Sequence, residues 1–154
     1  MRLGFTGTQH IPRGERSYVA ACLQDLVDRL SPTVVVTGGC IGIDAFVHHW
    51  MCENHPIIKR VVCLPHDRSK VDEKVILTAD ELHEDRATYR ARNEQIVELS
   101  DVMAAFWTGQ RAYSGTYMTM NIAMRSEKIS RENVYGMKLL PSSEARERYF
   151  DART

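Results

Sequence analysis

Val34-Val35-Val36 runs directly into Thr37-Gly38-Gly39-Cys40-Ile41-Gly42-Ile43-Asp44. Three consecutive valines mark a strand buried on both faces, as in a parallel sheet covered by helices. The glycines that follow remove side chains where that strand turns into a helix, so a ligand can approach the backbone. A second junction of this kind, Ser114-Gly115-Thr116, follows the apolar run Val102 to Phe106. A helix start aims free N–H groups outward, which suits an anion such as phosphate. Two such junctions in one small chain predict a pocket for a nucleotide or another phosphorylated molecule.

The rest of the chain alternates in the same way. Leu3 to Thr6 reads as strand 1, ended by Gly7-Thr8. From Glu15 to Leu30, Val19, Cys22, Leu23, Leu26, Val27 and Leu30 recur at three- and four-residue spacing, one apolar helical stripe. Thr33 to Thr37 is strand 2, and Ile43, Phe46, Val47, Trp50 and Met51 give helix 2 its apolar face. Strand 3 covers Arg60 to Leu64 and strand 4 Val102 to Phe106; helices are expected over Thr88 to Leu99 and Tyr117 to Glu127, and strand 5 over Val134 to Met137. Asp67 to Arg86 is charged and weakly periodic, which reads as a lid or binding loop with a short helix over Lys70 to Leu77. Strands alternating with helices imply an α/β fold. We expect a single Rossmann-like domain over residues 1–140 and a polar tail over 141–154. Its parallel sheet has about five strands in the order 3-2-1-4-5, with helices on both faces. Ligands then bind at the switch point between strands 1 and 4.

The chain has 154 residues, with Lys+Arg and Asp+Glu both 20. That balance lowers the expectation of a nucleic-acid-coating surface. No apolar run reaches the roughly 20 residues a membrane span needs, and the start has no signal-peptide layout. Cys22, Cys40, Cys52 and Cys63 form no CxxC pair and read as reduced thiols of a cytosolic protein.

Three segments resemble a known family. Gly38-Gly39-Cys40-Ile41-Gly42-Ile43-Asp44, with His48 near the pattern's histidine, resembles the GGxxGIDxxAH segment of the DNA-processing protein A family. Arg92-Asn93, then Ile96 and Ser100-Asp101, resembles its RNxxIxxxSD segment. Ser114-Gly115-Thr116, then Thr119 and Ala123, resembles its SG(S/T)xxTxxxA segment. The wider grouping is the SLOG superfamily, which includes lysine-decarboxylase-like phosphoribohydrolases. The resemblance implies a Rossmann-like domain that binds a nucleotide, a nucleotide derivative or single-stranded nucleic acid. The phosphoribohydrolases carry PGGxGTxxE, whose glutamate does chemistry. Here no acid follows Gly115-Thr116 at that offset, which argues against the same hydrolase mechanism.

The expected ligand-binding residues are Gly7, Thr8, Gly38, Gly39, Gly42, Asp44, Arg92, Asn93, Ser114, Gly115 and Thr116. Asp44 suits a ribose hydroxyl, or else merely complements a helix dipole. Arg92 suits bidentate phosphate contact, or else pairs with Glu94 or Glu98. Ser114 and Thr116 cradle an anion or simply cap a helix. His10, Arg13 and Arg90 are weaker candidates, and Trp107 either stacks on a base or covers the sheet end. His48, Cys52, His55 and Asp44 fit no usual zinc spacing, so no metal and no cofactor is assigned. For an N-glycosidase-type enzyme, Glu94 is the nearest carboxylate by sequence, ahead of Asp80, Glu81, Glu84 and Asp85. The leading reading is binding or sensing of a nucleotide-like small molecule, with nucleotide hydrolysis and single-stranded DNA binding as alternatives. A homo-oligomer is expected, with Met118, Met120 and Met124 supplying a face.

Overall fold

Strand β1 (Arg2–Gly7) lies near the middle of the sheet in a computed structural model that describes residues 1–109 and 115–140. On one side it pairs in parallel with β2 (Val34–Thr37), and β2 with β3 (Lys59–Cys63). On the other it pairs with β5 (Val102–Trp107), and β5 with β6 (Val134–Lys138). A further edge strand, β4 (Glu81–His83), pairs with β3, so the six-stranded order is β4-β3-β2-β1-β5-β6. The expected order is recovered with one strand added at the edge.

The helices cover both faces. Helix α1 (Arg16–Leu30) buries Tyr18, Val19, Cys22, Leu23, Leu26 and Val27, the stripe legible in the sequence. With α2 (Ile43–Asn54) it packs on Leu3, Phe5, Val35, Ala104 and Phe106. Helices α4 (Tyr89–Glu98) and α5 (Gly115–Arg125) cover the other face, over Val36, Val61, Cys63 and Met103. Strand residues alternate between the two cores because successive side chains point to opposite faces.

Residues 67–86 are not a lid. They hold α3 (Glu73–Thr78) and β4, and both are tied down. Asp72 caps α3 by accepting from Lys74 N at 2.9 Å, and Val75 is fully buried. Asp80 pins β4 beside β3, since its Oδ2 accepts from Arg60 N at 2.8 Å and its N donates to Arg60 O at 2.9 Å. A three-residue edge strand of half-polar character leaves no periodic signal. Ser114 and the 141–154 tail lie outside the described residues.

Candidate functional site

Strand β1 feeds α1 on one face and β5 feeds α5 on the other, so a cleft opens beyond their carboxyl ends. It is a cavity of about 400 Å³. Its floor is the end of β1: Thr6, Gly7, Thr8 and Gln9. One wall is Cys40 and Asp44 of the β2–α2 turn; another is Tyr89, Arg92 and Asn93 of α4. Trp107 and Thr108 after β5, with Gly115, Thr116 and Met118 of α5, close the remaining side.

The β2–α2 turn is built for close approach. A Cβ on Gly38 would lie 2.6 Å from Arg92 Nη1 and 2.7 Å from Asp44 Oδ2. Gly42 has φ +86° and sits against the carbonyl of Thr8, where Ile43 N donates to Thr8 O at 3.0 Å. The 67–72 segment holds the turn from outside: Ile41 N donates to Lys70 O at 2.8 Å and Asp72 N to Gly39 O at 3.0 Å. Gly38, Gly39 and Gly42 shape the cavity without lining it.

Arg92 is 6% exposed. Its Nη1 donates to the carbonyl of Gly38 and, at 3.2 Å, to that of Cys63, and its Nε donates to Asn93 Oδ1 at 2.9 Å. It therefore joins α4 to the ends of β2 and β3, rather than pairing with Glu94 or Glu98. Asp44 faces it across the turn, and its Oδ2 accepts from Cys40 N at 3.2 Å. Burial pushes the Asp44 carboxyl up to about 6, while Arg92 and the backbone N–H groups of Cys40 and Gly38 pull it back. Burial also raises the Cys40 thiol, so it is not a ready thiolate.

The two helix starts differ. At α2, Ile43 N donates to Thr8 O, and Ala45 N donates to Cys40 O at 3.0 Å, so protein acceptors occupy these amides. At α5, Gly115 is exposed, with no described residue within 4 Å of a Cβ placed on it, and Thr116 is buried beside it.

The cavity thus gathers Gly7, Thr8, Asp44, Arg92, Asn93, Gly115 and Thr116 of the expected set. Glu94 lies elsewhere, on the outer face of α4, 3.3 Å from Arg90. Glu81 pairs with Lys59 at 3.2 Å and Glu84 with Arg68 at 3.0 Å, while Asp85 accepts from Gln95 at 3.0 Å. His48 is buried with Nε2 2.7 Å from Thr78 Oγ1, and His55 Nε2 is 3.1 Å from Gln24 Oε1. Among the described residues no His, Cys, Asp or Glu trio is grouped to hold a metal. Trp107 lines the cavity and also rests on Gly136 of β6, at the edge of the sheet. Sequence reasoning missed Tyr89 and Met118. Tyr89 lies three residues before Arg92, one turn along the same helix face, and that spacing was the available signal.

Ser100 and Asp101, within the second resembling segment, serve the fold. Ser100 Oγ donates to Ile96 O at 2.6 Å, and Asp101 Oδ2 accepts from Arg2 N at 2.9 Å.

No protein-family model matches the chain, and no curated protein matches it. Solved structures do. One is TM1055, a structural-genomics target, 13% identical with a TM-score of 0.60, covering 97% of this chain and 98% of that one. Another is the DNA processing protein A of Helicobacter pylori, described for its single-stranded DNA binding mode. It is 18% identical with a TM-score of 0.60, covering 97% of this chain and 73% of that one. The chain therefore shares the Rossmann-like fold of these two structures, the fold that the three segments led us to expect.

Proposed function

We propose that the switch-point cavity binds a nucleotide or nucleotide-derived phosphorylated ligand, in a binding or sensing role. One observation carries this reading: a single cavity gathers the start of α5, the rings of Tyr89 and Trp107, and the buried Asp44 and Arg92. Its volume of about 400 Å³ suits a mononucleotide. The phosphate sits at the α5 start, held by N–H groups and Thr116. The base lies against Tyr89 and Trp107, and Asp44 accepts from ribose hydroxyls. Arg92 holds the turn that positions Asp44 and adds positive potential to the cavity.

The test is thermal unfolding and calorimetry against a panel of mononucleotides, dinucleotides, cyclic nucleotides and a short single-stranded oligonucleotide. A ligand at 100 times its dissociation constant adds about 2.7 kcal/mol of apparent stability. That is a rise of several degrees for a chain of this size. Gly115→Val should keep the fold, since no described residue lies within 4 Å of a Cβ there, while adding bulk to the cavity lining. It should abolish the shift; an unchanged shift in that variant overturns the site.

Similarity to the H. pylori protein favours single-stranded DNA as the second reading. Its mark is a shift with the oligonucleotide alone and an affinity that falls steeply with salt. Release of free base during the titration would place turnover on Asp44, the one carboxylate lining the cavity among the described residues.

A further inference from the structure

The described sheet ends at β6, and the chain leaves the described residues there, beside α1. Leu139 N donates to Trp107 O at 2.8 Å, and Leu140 N donates to Glu15 Oε1 at 3.2 Å. Helix α1 has two flanks above the sheet. One faces α2: Arg16 Cζ lies 5.7 Å from the Phe46 ring centroid, and Gln24 Oε1 is 3.1 Å from His55 Nε2. The other carries Tyr18, Cys22, Asp25 and Arg29, which recur at three- and four-residue spacing. Tyr18 is 6% exposed and Cys22 5%. Arg29 lies over the Tyr135 ring, 5.5 Å from its centroid, which sets this flank beside β6. Tyr135 and Met137 are half-buried on that side of β6 and pack on the same core as α1. The opposite side of β6 belongs to α5, whose Met120 approaches Gly136.

We infer that the corner between this flank of α1 and β6 is the docking surface for residues 141–154 of the same chain, packed there as a helix. The exit point sets the direction, because Leu140 is bonded to Glu15 at the start of α1. The length fits as well. Helix α1 has 15 residues and runs about 22 Å, and a helix over 142–153 runs about 18 Å beside it. The sequence suits a helix apolar on one side. Ala145, Tyr149 and Ala152 fall on one face, with Glu144, Glu147 and Asp151 on the opposite one. Arg146, Arg148 and Arg153 border the apolar face. Ser142 or Ser143 caps the start, and Glu144 in the first turn complements the helix dipole. Charge does not choose this occupant, since Asp25 and Arg29 on the flank already pair at 3.0 Å. The tether does. A segment attached at Leu140 is held at about millimolar effective concentration, above that of a second copy in dilute solution. The inference stands apart from the identity of the ligand in the switch-point cavity.

Thiol labelling of the full, reduced chain tests it, with mass spectrometry to resolve each cysteine. Cys22 reports on the corner, and Cys63, fully buried under the other face, reports on global unfolding. Tyr149→Ser and Ala152→Asp should each speed the labelling of Cys22 on the order of tenfold and leave that of Cys63 unchanged. Phe150→Ser, a position turned away from the apolar face, should leave both rates unchanged. None of the rates should vary with protein concentration. An unchanged Cys22 rate in Tyr149→Ser and Ala152→Asp overturns the inference, as does an equal effect of Phe150→Ser. Protection of Cys22 that grows with protein concentration would overturn it in favour of a second copy.

Discussion

Arg92 and Asp44 grip the same turn from opposite sides: Arg92 Nη1 donates to the carbonyl of Gly38, and Asp44 Oδ2 accepts from the amide of Cys40. A cation from α4 and an anion from α2 thereby lock the backbone that forms one wall of the cavity. Neither group is at the surface, so their mutual attraction is only weakly screened.

Gly38→Ala should destabilise the fold by about 1–3 kcal/mol, because the new methyl overlaps Arg92 and Asp44. Gly115→Ala should change stability by about 0.5 kcal/mol or less, because its methyl meets no described residue. Urea denaturation of both variants measures the contrast. Equal losses would mean that the packing over Gly38 is not what constrains that residue.

Arg92→Lys should cost about 2–3 kcal/mol. An ammonium cannot serve the carbonyls of Gly38 and Cys63 and also Asn93 Oδ1 with one rigid fork. The same denaturation experiment reads this loss. A near-neutral Arg92→Lys would show that point charge alone holds the turn.

The pH dependence of stability should separate Asp44 from His48. Asp44 has its carboxyl raised from 3.8 to about 6 by burial. Its stabilising contribution is fully present below 3.8 and is lost as pH rises through about 6, since the folded chain holds the extra proton. His48 is lowered from 6.5 to about 4 by burial first and by the His49 charge second. Its contribution is fully present above 6.5 and is lost as pH falls toward 4. The two slopes oppose each other over nearly the same range. Asp44→Asn should therefore gain on the parent by about 1–2 kcal/mol between pH 4 and pH 6. His48→Gln should flatten the acid limb instead. Chemical denaturation at stepped pH tests both; parallel curves for parent and Asp44→Asn would refute the first.

Asp101→Ala should weaken the start of β1 by about 1 kcal/mol without touching ligand affinity, because Asp101 accepts from Arg2 N far from the cavity. Calorimetry with whichever nucleotide shifts the melting temperature provides the control. A loss of affinity in this variant would tie that end of the sheet to binding.

Much of the architecture could be read from local pattern. The three valines of β2 and the α1 stripe are periodicities that hold wherever the segment is placed. They yielded the strand order apart from β4. That strand escaped because its pairing depends on Asp80 gripping Arg60, a contact between distant residues that composition does not encode. The same holds for residues 67–86, whose charge suggested a lid although Lys70 and Asp72 hydrogen-bond to the turn itself.

For the candidate site, residue types and rough location were set by the chain alone. The glycine junctions must fall where a parallel strand meets its helix, so they must gather at one sheet edge. Tertiary structure decided how the members divide their tasks. It showed that protein acceptors occupy amides at the α2 start, while no described residue packs over Gly115 at the α5 start. It turned Arg92 toward two carbonyls, and it set Glu94 outside the cavity. Sequence fixes a residue's place along its own helix. Which neighbour it meets, and how much water reaches it, depends on chains folded from far away, and those two quantities govern its chemistry.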